Sequence, residues 1–393
     1  MQGLLRHYNP VTAIFVVLSL TALAVSGMRP VFVCNEVITR FIRDGVMVLA
    51  LIIPITAGMG LNFAIVVGAI CAQVGLILAV DYQLGGLESL ALIMIVGVAL
   101  SILLGYMIGL CLNRARGREM ITTILIGFLA TSMYQLIFMV GYGTIITPRN
   151  PEMMLSRGVG IRNMVDLDRF RNLLDSIWVL RFGEIEVPLF MLLVVCFMAL
   201  VVNYTLHTRL GRHFSAVGFS GDRVEALGLD PRLIRIKAII LSTVIACLGH
   251  IIFIQNIGML NVYTAHLNTD IFSCAALLAG GATVTRAKVR HALIGIVLFH
   301  TLFVVSPQAG QNLFGNPALG EYFRSFVAYG TIAVALILNA KNSDKSPRGP
   351  GNKGSKNLLE QEPATGSCSN MYADNCLSVA GDSLGYCRKQ KTR

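Results

Sequence analysis

Residues 45–80 read GVMVLALIIPITAGMGLNFAIVVGAICAQVGLILAV, 36 positions with no Lys, Arg, Asp or Glu. At about 1.5 Å per residue, one straight helix of that length would run about 54 Å, far beyond the ~30 Å hydrocarbon core of a bilayer. The stretch carries its own break. Pro54 lacks a backbone N–H, and Gly58, Gly60 and Asn62 follow within two turns. It therefore predicts two membrane helices, 45–57 and 63–80, hinged at the glycines.

The rest of the chain repeats the pattern. Charge-free gaps fall at 7–28, 89–113, 120–148, 187–208, 238–269, 291–320 and 325–340. Hydrophobic residues make up 55% and charged residues 13%, against about 25% charged in soluble domains. Mean hydropathy is +0.68. A soluble core cannot bury so much apolar surface and still clothe its outside, so the apolar face must meet lipid. The runs are continuous rather than alternating, which excludes a barrel. The expected fold is an all-α polytopic membrane helix bundle with broken helices. It has ten segments: 11–27, 45–57, 63–80, 89–112, 120–142, 188–206, 238–257, 270–282, 291–305 and 323–340. Of these, 270–282 and 291–305 are short for full spans. Arg6, the apolar run from Val11 and Ala24-Val25-Ser26-Gly27 also fit a signal peptide; the bundle takes this stretch as its first span.

Charge sets the expected orientation. The net charge is +11. Arg114, Arg116, Arg118, the basic residues of 209–237, Arg286, Lys288, Arg290 and the basic residues of the tail fall in loops on one side, whereas 81–88, 258–269 and 306–322 carry no Lys or Arg. Positive charge stays inside, so both termini are expected in the cytoplasm, in a bacterial inner membrane. Loop 143–187 runs against the rule with six arginines, offset by Asp166, Asp168, Asp175, Glu184 and Glu186. Residues 1–340 form the expected transmembrane domain. Residues 341–393 are rich in Ser, Gly, Asn, Lys and Pro and form an expected disordered cytoplasmic tail. Lys341, Lys345 and Arg348 suit either a solvated linker or anionic lipid headgroups. Cysteines show no C-x-x-C pair; Cys34, Cys71, Cys111, Cys196, Cys247 and Cys274 read as small apolar residues, and Cys368, Cys376 and Cys387 lie in the tail.

The energy source is read from what is missing. Ion-driven carriers keep carboxylates within the membrane because only function repays their cost there. Glu119, Asp270 and Glu321 fall at segment boundaries, and no buried Lys or Arg is evident. His250 and His300 are the titratable residues at depth; a hydrogen-bonded packing role and a proton relay both fit them. No G-x-x-x-x-G-K-[ST], H-E-x-x-H or G-x-S-x-G occurs. The chain reads as a non-enzymatic transport component with no bound cofactor of its own and no metal site. The absence of buried charge favours a neutral or zwitterionic solute. Gly58, Gly60 and Asn62 at the break, with Gln73, Gln135, Gln255 and Asn256, are the pathway candidates; helix–helix hydrogen bonding fits the amides equally well.

Residues 207–237 read HTRLGRHFSAVGFSGDRVEALGLDPRLIRIK. Arg209 to Val217 predicts a short polar helix, Gly218 to Gly221 a break, and Asp222 a cap for a second helix, Arg223 to Leu227, stopped by Gly228. This loop resembles that of the membrane subunits of ATP-binding-cassette importers of the branched-chain amino acid, ribose and galactose type, whose relatives handle nucleosides and riboflavin. Their pattern, G-R-x-x-x-A-x-G-x-N-x-x-x-A-x-x-x-G-[IL], is met by Gly211, Arg212, Ala216, Gly218, Gly228 and Leu229, with Ser220 and Val224 departing from it. Thr56 to Asn62 is similar to the family's T-G-G-I-D-L-S, with Gly60 at the acidic position, and Asp270 to Gly281 to its small-residue run ending in G-G.

The resemblance implies an importer permease for a small polar solute such as a sugar, nucleoside, amino acid or vitamin. It implies an ATPase subunit docked at Gly211, Arg212, Ala216, Gly218, Asp222 and Gly228, with ATP bound by that partner. It further implies a second permease chain, identical or homologous, and an external solute-binding protein, in membrane lipid and with no role for nucleic acid. A passive channel and a His-dependent secondary carrier are the rival readings.

Overall fold

The computed structural model describes residues 10–345, apart from 143, 156–159, 168, 169, 172 and 175. The expected tail beyond Lys345, with Arg348, Cys368, Cys376 and Cys387, lies outside the described residues, as does Arg6.

Helix dominates because lipid offers the backbone no hydrogen-bond partner. In chain order the helices are α1 Pro10–Ser26, α2 Pro30–Ala50, α3 Ile52–Thr56, α4 Val66–Asp81, α5 Gly86–Arg114, α6 Glu119–Leu136, α7 Leu189–His207, α8 Arg209–Phe219, α9 Gly221–Ala226, α10 Pro231–Asn256, α11 Thr269–Ala279, α12 Val289–Phe314 and α13 Pro317–Lys345. Among the described residues six helices are long and apolar enough to cross a membrane: Phe63–Asp81, Gly86–Arg114, Glu119–Gly141, Leu189–His207, Pro231–Asn256 and Val289–Phe314. Val11–Ser26 and Thr269–Ala279 are apolar but shorter. The chain is an all-α, multi-pass integral membrane protein.

α4 and α10 form the centre. α4 is buried on nearly every side, whereas much of α5, α6 and α7 is exposed apolar surface. Small residues let the inner helices meet closely. A Cβ at Gly105 of α5 would stand 3.0 Å from the Ile240 Cα of α10, and one at Gly249 of α10 would stand 2.8 Å from the Met47 backbone N of α2. The Gly280-Gly281 pair ends α11 for the same reason. Gly280 lies against the His291 carbonyl and Gly295 of α12, and Gly281 takes φ +95°.

Two short antiparallel ladders mark one end of the bundle. β1, Met164–Asp166, pairs with β4, Met259–Asn261; β2, Val179–Phe182, and β3, Ile185–Pro188, form a hairpin. The opposite end carries α8 and α9. Asn113 at the end of α5 donates to the Arg232 carbonyl (3.0 Å), and Glu119 of α6 pairs with Arg235 of α10 (3.2 Å). The basic residues at 114–118 therefore share an end with those of 209–237.

Two expected segments need correction. The segment placed at 45–57 begins at Pro30, and α2 runs straight through Glu36, Arg40, Arg43 and Asp44. Pro30 suits a first helical position, where the missing N–H would be unpaired anyway. The charges are tolerated because they pair: Arg40 with Glu36 (3.3 Å), and Arg43 with Asp44 (3.5 Å). The segment placed at 291–305 extends to Phe314 through Pro307. Proline there leaves the carbonyl four residues back, that of Phe303, without its helical donor. Arg324 of α13 supplies the donor instead, its Nη1 3.0 Å from the Phe303 oxygen, with its guanidinium 3.7 Å from the Phe303 ring centroid.

Candidate functional site

The helix break is where the sequence puts it. α2 passes through Leu51 into α3, which stops at Thr56, and Gly58 and Gly60 adopt φ +75° and +72°. Asn62 then accepts from the Ala64 N–H (3.1 Å) and starts a 3₁₀ turn, Phe63–Ile65, that leads into α4. The Asn62 amide nitrogen is buried with no partner.

α8 lies across this break. Thr208 caps it, accepting from the Gly211 N–H at 3.4 Å, and its buried face is Gly211, Phe214 and Val217. Gly218 meets the Thr56 carbonyl, and a Cβ added to Gly58 would stand 2.6 Å from the Gly218 Cα. Gly211 is packed equally tightly on Leu206 at the end of α7. The kink between α8 and α9 falls at Ser220, so Gly218 belongs to α8 rather than to the break. Ser220 also takes the cap position expected of Asp222, which sits in the first turn of α9, where its charge suits the helix N-terminus. Gly228 stops α9 at φ +79°. Arg212, Ala216 and Asp222 are exposed, and so are Phe219 (80%) and Leu227 (77%), two large apolar side chains that the segment leaves outside while Phe214, Val217 and Val224 are buried. A cavity of about 250 Å³ opens beside the contact, lined by Gly58, Gly60, Gly117, Glu119, Met120 and Gly218.

A second cavity, about 180 Å³, lies inside the bundle between α2, α10, α11 and α12. The ionisable part of its wall is Arg40, Arg43, Asp44 and His300. Asp44 Oδ2 lies 3.3 Å from His300 Nε2 and 3.5 Å from Arg43 Nη2. Its apolar wall includes Phe253, Phe272, Phe299 and Phe303. His300 is midway along α12, itself long and apolar enough to span, so Asp44 sits level with the middle of a span. The expectation that no carboxylate or arginine lies at depth does not hold, and with it falls the argument that favoured a neutral or zwitterionic solute. The signal was present in the sequence. Glu36, Arg40 and Asp44 recur every four residues, with Arg43 three after Arg40, which places them on one helical face. Starting the helix at the edge of the charge-free gap hid it.

The remaining candidates scatter. Gln73 is fully buried and bridges two histidines, its Nε2 3.1 Å from His250 Nε2 and its Oε1 3.0 Å from His266 Nδ1. Gln135 donates to the Tyr263 carbonyl (2.9 Å). Gln255 borders a crevice of only about 10 Å³. None of these three, nor Asn256, lines the hinge cavity or the one between α2, α10, α11 and α12; Gly58 and Gly60 line the one at the hinge. His250, besides the Gln73 bond, stacks on Phe253 at 5.0 Å. Among the described residues no group of three or more His, Cys, Asp or Glu side chains is arranged to hold a metal ion.

A family model described as "Branched-chain amino acid transport system / permease component" matches residues 33–336. No curated protein and no solved structure matches the chain.

Proposed function

The chain belongs to the family of permease components of branched-chain amino acid transport systems, and from that premise we propose that it is the membrane-spanning subunit of an ATP-binding-cassette importer. Residues 1–340 are the permease and 341–393 a cytoplasmic tail, in a bacterial inner membrane with both termini inside. An ATPase subunit grips the α8–α9 segment at Arg212, Ala216, Asp222 and the exposed Phe219 and Leu227, while Gly211, Gly218 and Gly228 shape the segment. A second permease chain faces this one, and an external binding protein delivers a small solute to the opposite end.

The observation that carries this reading is the contact of Gly218 with Thr56 and Gly58. A lever works only if the gripped segment touches the part that must move. Here the segment rests on the break of a broken helix, at two glycines whose closeness leaves no slack. ATP binding draws the partner ATPases together, α8 shifts, and the hinge at 56–62 passes the shift to α2 and α4. The bundle is then a two-state element biased by its partner, which is what coupling requires. ATP stays on the partner; the residues of this chain transmit motion.

The test is uptake into vesicles holding the permease with its ATPase and binding protein. Uptake should stop when ATP is withheld. Uptake indifferent to ATP overturns the importer in favour of a passive channel. The His300–Asp44 contact of 3.3 Å favours a second reading, an ion-coupled carrier. In that case uptake persists without ATP and collapses when the proton gradient is discharged.

A further inference from the structure

We infer that the cavity between α2, α10, α11 and α12 is a site for a small carboxylate with a flat apolar body. Arg40 and Arg43 hold the anionic end, and the phenylalanine wall holds the body. Calling this the transported solute rests on the permease reading; the binding chemistry does not.

The donors of the wall point to an anion. α2 supplies two guanidiniums and one carboxylate, α12 supplies His300, and α10 and α11 add no charge to it. Arg40 is paired with Glu36 and Arg43 with Asp44, so what the wall offers is spare N–H donors rather than an unbalanced charge. The single carboxylate is already engaged, since Asp44 Oδ2 faces both Arg43 Nη2 and His300 Nε2. Glu36, the partner of Arg40, does not line the cavity. Each guanidinium has five N–H donors and meets one carboxylate, so donors remain. Arg43 Nε is buried with no partner at all. A bound carboxylate would accept from the remaining donors of Arg40 and Arg43, the two guanidiniums that line the cavity.

The body is read from the rings. Phe272, Phe299 and Phe303 pack together with centroids 5.4 to 6.0 Å apart. Each lining arginine rests on a ring, Arg40 over Phe303 and Arg43 over Phe253, both at 5.3 Å. Cation–π contact fixes the guanidinium planes while leaving their edges to bond. A cavity of ~150 Å³ lined by apolar side chains holds a benzene; this one, at about 180 Å³, has room for a ring and a small head group.

Equilibrium binding to the purified full-length chain in detergent, read by saturation-transfer NMR, tests this with three probes of one shape: phenylacetate, 2-phenylacetamide and 2-phenylethylamine. Phenylacetate should bind at least tenfold tighter than the amine, with the amide between. Arg40→Gln and Arg43→Gln should each weaken phenylacetate at least fivefold, and Asp44→Asn should not weaken it. The probe order on the unmodified chain needs no variant to fold. An amine bound as tightly as phenylacetate, no binding of any probe, or phenylacetate binding unchanged in both arginine variants overturns the inference. No ATPase is present in this experiment, so a failure of ATP-driven uptake would count against the permease reading and leave the probe order standing.

Discussion

Gly218 lies against Gly58, at a distance only two residues without side chains allow: a Cβ on Gly58 would stand 2.6 Å from the Gly218 Cα. One glycine belongs to the segment between α7 and α10, the other to the break between α3 and α4. They are 160 residues apart in sequence and form the joint through which a cytoplasmic partner would reach the membrane helices.

The joint makes three glycines unequal. Gly58, Gly60 and Gly228 all take positive φ, so alanine at any of them brings backbone strain of about 1–2 kcal/mol. At Gly58 the new methyl also meets backbone, adding about 1–3 kcal/mol of overpacking. At Gly60 it meets the flexible Met120 side chain at 3.1 Å, and at Gly228 nothing within 4 Å. Thermal unfolding in detergent should therefore rank the losses as Gly58→Ala, then Gly60→Ala, then Gly228→Ala. An equal loss at all three would mean that Gly218 yields freely.

Arg324 and Pro307 should be coupled. Arg324→Met removes the donor to the Phe303 carbonyl and should cost about 1.5–3 kcal/mol, the range for hydrogen bonds to charged groups. Pro307→Ala restores a backbone N–H to that carbonyl, so the double variant should recover at least 1 kcal/mol of the loss, measured as a double-mutant cycle on thermal stability. Strict additivity would contradict the proposed exchange of donors.

Gln73 is expected to act as a staple between His250 and His266 rather than as a solute ligand. Gln73→Leu strips both His250 and His266 of a buried partner, a loss of about 2–4 kcal/mol. The order of binding among solutes should stay as it was, because Gln73 lines neither the hinge cavity nor the one between α2, α10, α11 and α12. A changed order with unchanged stability would return it to the pathway.

Phe219 and Leu227 should matter only in the presence of the partner. Both are solvent-facing, so Phe219→Ser and Leu227→Ser should alter the stability of the isolated chain by no more than about 0.5 kcal/mol. In pull-down from detergent they should lower retention of the ATPase at least tenfold, as truncated anchors at an interface do. Full retention would place the grip elsewhere.

Much of this was legible in the sequence, and the rest was hidden for identifiable reasons. The break at Pro54 to Asn62 is written in local chemistry, since glycine and proline act on their own backbone. The two short helices of 209–227 were equally visible; their kink moved to Ser220 because Gly218 is fixed by what it touches, which local sequence does not encode. α2 starts 15 residues before the charge-free run because its charges pair within the helix or with α12, which a rule about uncharged runs cannot see. The segment expected at 291–305 runs on to Phe314 because the donor that makes good the missing N–H of Pro307 sits 17 residues downstream on another helix. Phe219 and Leu227 looked like ordinary apolar residues until the fold left them outside.

The most direct measurement is the number of solutes imported per ATP hydrolysed by vesicles holding the whole importer with Gly218→Val. Valine at 218 would be driven into the Thr56 carbonyl and the Gly58 backbone, wedging the joint while leaving the outward face of α8 as it is. Hydrolysis should stay within about twofold of the unmodified complex while uptake falls at least tenfold, a loss of about 1.4 kcal/mol or more in coupling. Uptake and hydrolysis both at their normal levels would show that motion reaches the membrane helices by another route.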